Sequence, residues 1–102
     1  MTYRPLPKGF TIKESTIDGL GLFCDIKITD TETSLGITHV FTQGDKFIYR
    51  TPLGGFINHS DTPNCQLIRM DQSPDQGVNH LFPLRTIKPG EEITLKYTMY
   101  NV

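Results

Sequence analysis

Residues 55–65 read Gly-Phe-Ile-Asn-His-Ser-Asp-Thr-Pro-Asn-Cys and form the densest polar cluster between apolar residues in the chain. The glycines at 54 and 55 permit unusual backbone angles, and residues 61–64 carry turn chemistry. The segment is therefore predicted to be irregular, with at most a single helical turn. Taken alone, it fits a glycosylation sequon at 58–60, a plain surface turn, or a satisfied core histidine at His59, and it favours structure over function.

The composition on both sides of this segment is that of a β protein. The 102 residues contain no Ala and no Trp, but thirteen Thr and ten Ile. Ala is the best helix former, whereas β-branched residues suit strands. The length allows one domain with a modest core and excludes a barrel enzyme of about 250 residues. We therefore expect residues 1–102 to form a single, mainly β domain with very little helix.

Alternation of apolar and polar residues places short strands along the whole chain. Strands are predicted at residues 10–12, 22–24 with an extension through Ile26 and Ile28, 35–41, 47–49, 65–70, 80–84 and 92–97. Loops or turns are predicted at residues 30–33, 43–45, 71–77 and 88–91, the last a type II turn with glycine third. In the final strand, Ile93, Leu95 and Tyr97 are expected on one face, and Thr94 and Lys96 on the other.

Charge and hydropathy restrict the binding partners and the cellular compartment that the sequence predicts. A net charge of −1, with 21% charged residues, gives no electrostatic case for binding nucleic acid or a membrane surface. No apolar run approaches the roughly 20 residues that a bilayer requires, and the N-terminus lacks a signal-peptide stretch. Two cysteines, Cys24 and Cys65, do not indicate a disulfide framework. We expect an intracellular, cytoplasmic protein with two buried thiols, with the host nucleus as the alternative compartment if the host is eukaryotic.

The histidines and cysteines give no metal signal. His39, His59, His80 and the two cysteines show no paired spacing of the kind that binds zinc, so no metal is expected. A Cys–His nucleophile pair stays open, although it has no local signature. The Gly-Leu-Gly turn at 19–21 lacks the third glycine and following helix of a dinucleotide motif.

Three segments, taken in order, point to one family. They read Gly-Leu-Gly-Leu-Phe at 19–23, the polar stretch at 55–65, and Ile-Lys-Pro-Gly-Glu-Glu-Ile-Thr-Leu-Lys-Tyr at 87–97. Together they resemble the SET domain of protein-lysine methyltransferases, in the minimal form of viral and bacterial members. The family's motifs are G-x-G-(L/I)-F, R-F-I-N-H-S-x-x-P-N and G-E-E-(L/I)-T-x-x-Y. The resemblance covers residues 10–97.

The resemblance implies a fold and a cofactor. The family has a β-clip fold of small curved β-sheets, in which the N-H-S segment and the C-terminal segment form a pseudoknot. It binds S-adenosyl-L-methionine on one face and the substrate lysine on the other. Gly19, Leu20 and Gly21 would lie against the methionine part of the cofactor, and Asn58 and His59 would hold its amino group and adenine.

The resemblance also implies a methyl transfer to a lysine of a protein or peptide substrate, such as a histone or another host protein. Tyr97 would be the catalytic residue, orienting the amine and helping to polarise the methyl group. Leu95 and Tyr100 would line the substrate channel. No metal or carboxylate base is needed, because positioning supplies much of the rate of an in-line displacement.

Several departures from the family pattern bear on these roles. Gly55 stands where the family has arginine, Asp61 where many members have a zinc-tail cysteine, and Leu95 where Phe or Tyr is usual. No zinc tail is therefore expected, and the number of methyl groups added stays open. Because a zinc tail normally completes the lysine channel, Tyr100, the last residues or a second subunit would have to replace it, and we expect a homodimer.

Two other functions stay open from the sequence. Gly55 and Leu95 also fit a catalytically reduced SET-fold module that binds cofactor or peptide. A small β-rich structural protein with chance motif matches is the second alternative. The presence of Asn58, His59 and Tyr97 favours the methyltransferase.

Overall fold

The computed structural model describes residues 6–43, 46–73 and 76–96, which form eight β-strands and no helix. The prediction of a mainly β chain is confirmed, and this part of the chain holds no helix long and apolar enough to cross a membrane. The strands are β1 (Phe10–Glu14), β2 (Leu20–Cys24), β3 (Gly36–Thr42), β4 (Phe47–Arg50), β5 (Asn58–His59), β6 (Cys65–Ser73), β7 (Gln76–Pro83) and β8 (Thr94–Leu95).

The strands form three small sheets. β1 and β2 make an antiparallel hairpin, and β4, β3, β7 and β6 make a four-stranded antiparallel sheet in that order. The third sheet is the parallel pair β5 and β8, in which Asn58 lies opposite Thr94 and His59 opposite Leu95. These are the two segments that the family's pseudoknot joins.

The second strand is shorter than predicted. β2 ends at Cys24, Ile26 is exposed, and Ile28 forms only an isolated bridge with Ile87. The reason is that the backbone finds partners outside the hairpin: Cys24 N–H donates to Glu91 O at 2.9 Å and Asp25 N–H to Gly9 O at 2.8 Å. The extension through Ile26 and Ile28 is wrong.

The polar loop predicted at 71–77 is also wrong, because β6 and β7 continue into it. Asp71 pairs with Gly77 and Ser73 with Gln76, with a register shift between them. A ladder of backbone hydrogen bonds does not need apolar side chains, so an antiparallel pair can extend past its apolar stretch. The predicted turn at 43–45 includes positions outside the described residues, but β3 and β4 pair antiparallel on either side of it.

One core joins the hairpin, the four-stranded sheet and the parallel pair. Its buried side chains come from all three sheets and from the segments between them: Phe10, Leu22, Cys24, Ile28, Leu53, Ile57, Cys65, Leu81, Ile87, Ile93 and Leu95. Both cysteines are buried and free, as the sequence predicts. Burying apolar area stabilises the fold by about 25 cal/mol per Å², so this shared core fixes the three small sheets relative to one another.

Two adjacent glycines before β5 have different surroundings. A Cβ on Gly54 would overlap the backbone carbonyl of Thr38 in β3, whereas a Cβ on Gly55 would find its nearest atom, Thr51 O, at 3.6 Å. Gly54 therefore permits close packing of this segment on the four-stranded sheet. Gly55 is exposed and has room for a side chain.

Because their surroundings differ, substitution of the two glycines should affect stability differently. We expect Gly54→Ala to lower the free energy of unfolding by about 1–3 kcal/mol, because rigid backbone must shift to admit the methyl group. Gly55→Ala is the matched control and should change stability by no more than about 0.5 kcal/mol. Urea unfolding of both variants measures the difference, and equal effects would contradict the packing.

His39 is a fully buried histidine in β3 of the four-stranded sheet. Its ring is fully buried, and its Nδ1 lies 2.9 Å from Thr38 Oγ1. Burial, with a further contribution from Arg50, lowers the pKa of His39 from 6.5 to about 4. The folded protein therefore holds this imidazole neutral where the unfolded chain would protonate it.

This shift gives the stability a definite pH dependence. The stabilisation from His39 is complete above pH 6.5 and is lost as pH falls from 6.5 towards 4, in total about 3 kcal/mol. We expect urea unfolding between pH 7 and pH 5 to show a steeper loss for the wild type than for His39→Gln. Parallel pH curves for the two proteins would contradict this.

Candidate functional site

Gly19 ends the tight turn between β1 and β2, whereas Leu20 and Gly21, which the sequence predicts in the turn, are the first residues of β2. Gly19 has a φ of 44°, a left-handed conformation that suits glycine, and its carbonyl accepts a hydrogen bond from Ser15 N–H at 2.8 Å. Ser15 Oγ also accepts from Ile17 N–H at 2.9 Å. The turn is thereby closed by hydrogen bonds among its own residues. A Cβ on Gly19 would meet nothing within 4 Å, so the backbone is open to approach there.

Asn58 attaches this turn to the N-H-S segment. Its Nδ2 donates to Asp18 O at 3.1 Å and to Leu20 O at 3.3 Å. The predicted cofactor residues Gly19, Leu20 and Asn58, which are far apart in the sequence, therefore meet in space. Their contact with a cofactor stays a prediction.

Glu92 lies at the same junction and was not among the residues that the sequence singled out. Its carboxylate accepts hydrogen bonds from Ser15 Oγ at 2.7 Å and from Asn58 Nδ2 at 2.8 Å. A Cβ on Gly21 would overlap this carboxylate. The absent side chain at Gly21 thus makes room for Glu92, which is a different reason for this glycine than close approach of a cofactor.

Asn64 ties the end of the N-H-S segment to the C-terminal segment. Its Nδ2 donates to Glu92 O at 2.7 Å, and its Oδ1 accepts from Thr94 N–H at 2.9 Å. In return, Thr94 Oγ1 accepts from Asn64 N–H at 3.2 Å. Asn64 is only 3% exposed, and both ends of its amide are satisfied. Its side chain therefore bonds the main chain at β8 in the way that the backbone of a neighbouring strand would.

These bonds explain why both faces of the segment predicted as a strand at 92–97 are buried in its described part. Within residues 92–96 the strand is shorter than predicted, Thr94–Leu95, and Ile93, Thr94 and Leu95 are all buried. Thr94 can be buried because Asn64 satisfies both its hydroxyl and its N–H. A polar residue in this position therefore does not mark a solvent-facing side.

The remaining predicted site residues fall into two groups. His59 is half-buried, pairs with Leu95 across the parallel strands, and has its Nε2 3.2 Å from Asp61 Oδ1. Leu95 is 2% exposed and packs in the core, so its place in the substrate channel stays a prediction. Tyr97 and Tyr100 lie outside the described residues, which end at Lys96, directly after β8.

The cysteines do not support nucleophilic chemistry. Burial raises the pKa of Cys65 to about 12 and also raises the pKa of Cys24, whose thiol donates to Ile26 O at 2.8 Å. Because the thiolate is the reactive form, these buried thiols are inert near neutral pH. Across residues 6–43, 46–73 and 76–96, no three His, Cys, Asp or Glu side chains are placed to hold a metal ion.

Comparison with known proteins assigns this arrangement to a family. The family model for the SET domain matches residues 10–98. The chain belongs to the SET-domain family. The alternative of chance motif matches in an unrelated β protein is thereby excluded.

Two individual proteins show how far the similarity extends. The chain is 46% identical over 46 residues to a SET and MYND domain-containing protein of Dictyostelium discoideum, a match that spans 45% of this chain and 12% of that protein. A solved structure from Plasmodium falciparum, of a proposed histone methyltransferase, matches with a TM-score of 0.72 and 21% identity. It covers 88% of this chain and 93% of that one, and it confirms the predicted SET fold.

The side chains missed by sequence reasoning lie inside or beside the motifs. Glu92 is the second glutamate of G-E-E, and Asn64 ends the N-H-S-x-x-P-N segment. Their fixed places within the two motifs are a signal that could have drawn attention to both. Ser15 gives no such signal, because only the folded turn brings its hydroxyl to Glu92.

Removal of the Asn64 amide tests its supporting role. We expect Asn64→Ala to lower the free energy of unfolding by about 1–3 kcal/mol, since the backbone groups of Glu92 and Thr94 lose buried partners. Gln66→Ala, two residues along the chain and half-buried, is the control and should cost no more than about 0.5 kcal/mol. Chemical unfolding that gives the two variants equal stability would contradict the assignment.

Proposed function

We propose that this protein transfers a methyl group from S-adenosyl-L-methionine to the side-chain amine of a lysine in a protein substrate. The observation that carries the proposal is the junction of three distant segments in a SET fold. Asn58 bonds the turn at 18–20, and β5 pairs with β8, the strand that leads to Tyr97. A protein or peptide partner, an intracellular setting and a homodimer that completes the lysine channel belong to the same proposal.

The described residues fit the amino-acid end of this cofactor. The backbone at Gly19 is open, since a Cβ at this position would have no atom within 4 Å. Asn58 Oδ1 accepts no hydrogen bond from the described residues, so it is available to a donor. Gly19, Leu20 and Asn58 would hold the methionine part, and His59, at the next position of β5, would lie beside the adenine.

When bound, S-adenosylmethionine supplies a methyl group activated by a sulfonium. The protein's task is to orient the amine and to keep it neutral, because only the unprotonated lysine has a free electron pair. A desolvated channel lowers the pKa of a lysine, which favours that state. The hydroxyl of Tyr97 would orient the amine by a hydrogen bond, and positioning of this kind supplies much of the rate.

A catalytically reduced binding module is the second candidate, and two observations favour it. Gly55 carries no side chain where the family has arginine, and Leu95 is packed in the core. Such a module would keep the cofactor contacts of Asn58 but transfer no methyl group. A methyl-transfer assay separates the two candidates.

We expect transfer of labelled methyl from S-adenosylmethionine to lysine when the protein is incubated with mixed histones or a cell lysate. Tyr97→Phe should fold normally and lower turnover by roughly 100-fold, since it removes one oriented hydroxyl. Tyr49→Phe is the matched control, because Tyr49 is 55% exposed on β4, and its rate should equal the wild-type rate.

Two results would contradict parts of this proposal. Measurable cofactor binding without methyl transfer to any protein would favour the binding module. An unchanged rate in Tyr97→Phe would remove this residue from the catalytic role.

A further inference from the structure

Contacts of its main chain hold Glu92 in place. It forms an isolated antiparallel bridge with Phe23 of β2, and its carbonyl accepts from Asn64 Nδ2 at 2.7 Å. Its neighbour Ile93 donates its N–H to Leu22 O at 2.7 Å. The main chain at Glu92 is thus fixed against the hairpin on one side and the N-H-S segment on the other, and its half-buried side chain lies beside Gly21.

The carboxylate of Glu92 is bonded to two neutral donors. Ser15 Oγ lies 2.7 Å from Oε1 and 2.9 Å from Oε2. Because a carboxylate can only accept, the single proton of Ser15 Oγ is directed to it, and a lone pair of the same oxygen accepts from Ile17 N–H. Asn58 Nδ2 donates to Oε2 at 2.8 Å. Among the described residues, Glu92 forms no ion pair, and the position that carries the family's arginine is Gly55.

These contacts determine the orientation of the Asn58 amide. Nδ2 faces three acceptors: the carbonyls of Asp18 and Leu20 and the carboxylate of Glu92. A flipped amide would direct Oδ1 at these three oxygens and lose every bond. The charged acceptor is the strongest of the three, since hydrogen bonds to ionised groups are roughly twice as strong as neutral ones.

The opposite end of the same amide is left open. Asn58 Oδ1 accepts no hydrogen bond from the described residues, and none of their buried side-chain nitrogens or oxygens lacks a partner. Oδ1 therefore reaches solvent, while Nδ2 of the same amide bonds the carbonyls on either side of Gly19. Because the Glu92 carboxylate bonds the same amide, Asn58 Oδ1 suits a cationic donor such as an ammonium group.

We propose that Glu92 is the positioning residue of the cofactor site. It acts through Asn58: its carboxylate fixes the amide so that Oδ1 accepts from the ammonium of the cofactor's amino-acid end. The inference rests on the proposed function, because it takes S-adenosylmethionine and its product as the ligands.

The test is calorimetric binding of two ligands that differ at this end. S-adenosylhomocysteine carries the ammonium, whereas 5′-methylthioadenosine lacks the whole amino-acid part. We expect Glu92→Ala to weaken the binding of S-adenosylhomocysteine by about 10–100-fold, the effect of losing one hydrogen bond to a charged group, and to leave the binding of 5′-methylthioadenosine unchanged. Glu91→Ala is the control, because the Glu91 carboxylate bonds exposed Arg85 rather than Asn58, and this variant should bind both ligands as the wild type does.

Two further variants distinguish positioning from a general loss of structure. Glu92→Gln keeps the shape and an acceptor for Asn58, so it should recover part of the affinity. Because Glu92 acts through Asn58, the double variant Glu92→Ala with Asn58→Ala should bind no more weakly than Asn58→Ala alone.

The outcomes are separable. Wild-type protein that binds neither ligand would defeat the proposed function itself. Wild-type binding with unchanged affinity in Glu92→Ala, an equal loss for both ligands, or additive losses in the double variant would overturn the positioning role alone.

Discussion

The candidate site depends on two residue pairs, Asn58 with Thr94 and His59 with Leu95, which join β5 to β8 in parallel. A parallel pair this short is weak in itself, and closing the chain between these segments costs conformational entropy. Side chains reinforce it: Asn64 bonds the backbone on both sides of Ile93, and Ser60 N–H continues the pairing to Leu95 O at 2.9 Å. The core beneath holds Ile57, Ile93 and Leu95, so burial stabilises the same junction.

The hairpin is attached to this junction by an isolated backbone bridge between Phe23 and Glu92 and by side-chain contacts. Glu92 is bonded by Ser15 and Asn58, and it occupies the space that a side chain on Gly21 would need. The three motifs of the sequence are therefore three parts of one contact network. This explains why each motif alone is ambiguous, whereas their order along the chain is specific: none of them is a site without the other two.

The sequence predicts the fold class well because strand preference and turn chemistry are local. The absence of Ala indicates little helix, and Gly90 has the φ of 90° that a type II turn between Lys88 and Glu91 requires. The sequence does not show what distant partners decide. Thr94 is buried because Asn64 satisfies it, and β2 stops at Cys24 because Glu91 and Gly9 take its next backbone bonds. Alternation cannot show either effect, and for the same reason it could not show that Glu92 faces Asn58.

The central claim is that the turn at 18–21, β5 and β8 act together as one cofactor site. Amide hydrogen exchange with and without S-adenosylhomocysteine tests it most directly, because it reports each segment separately. The account predicts that the ligand slows exchange in all three segments, at residues 18–21, 58–60 and 94–96, and leaves β4 unchanged. Slower exchange confined to the four-stranded sheet, or in only one of the three segments, would contradict it.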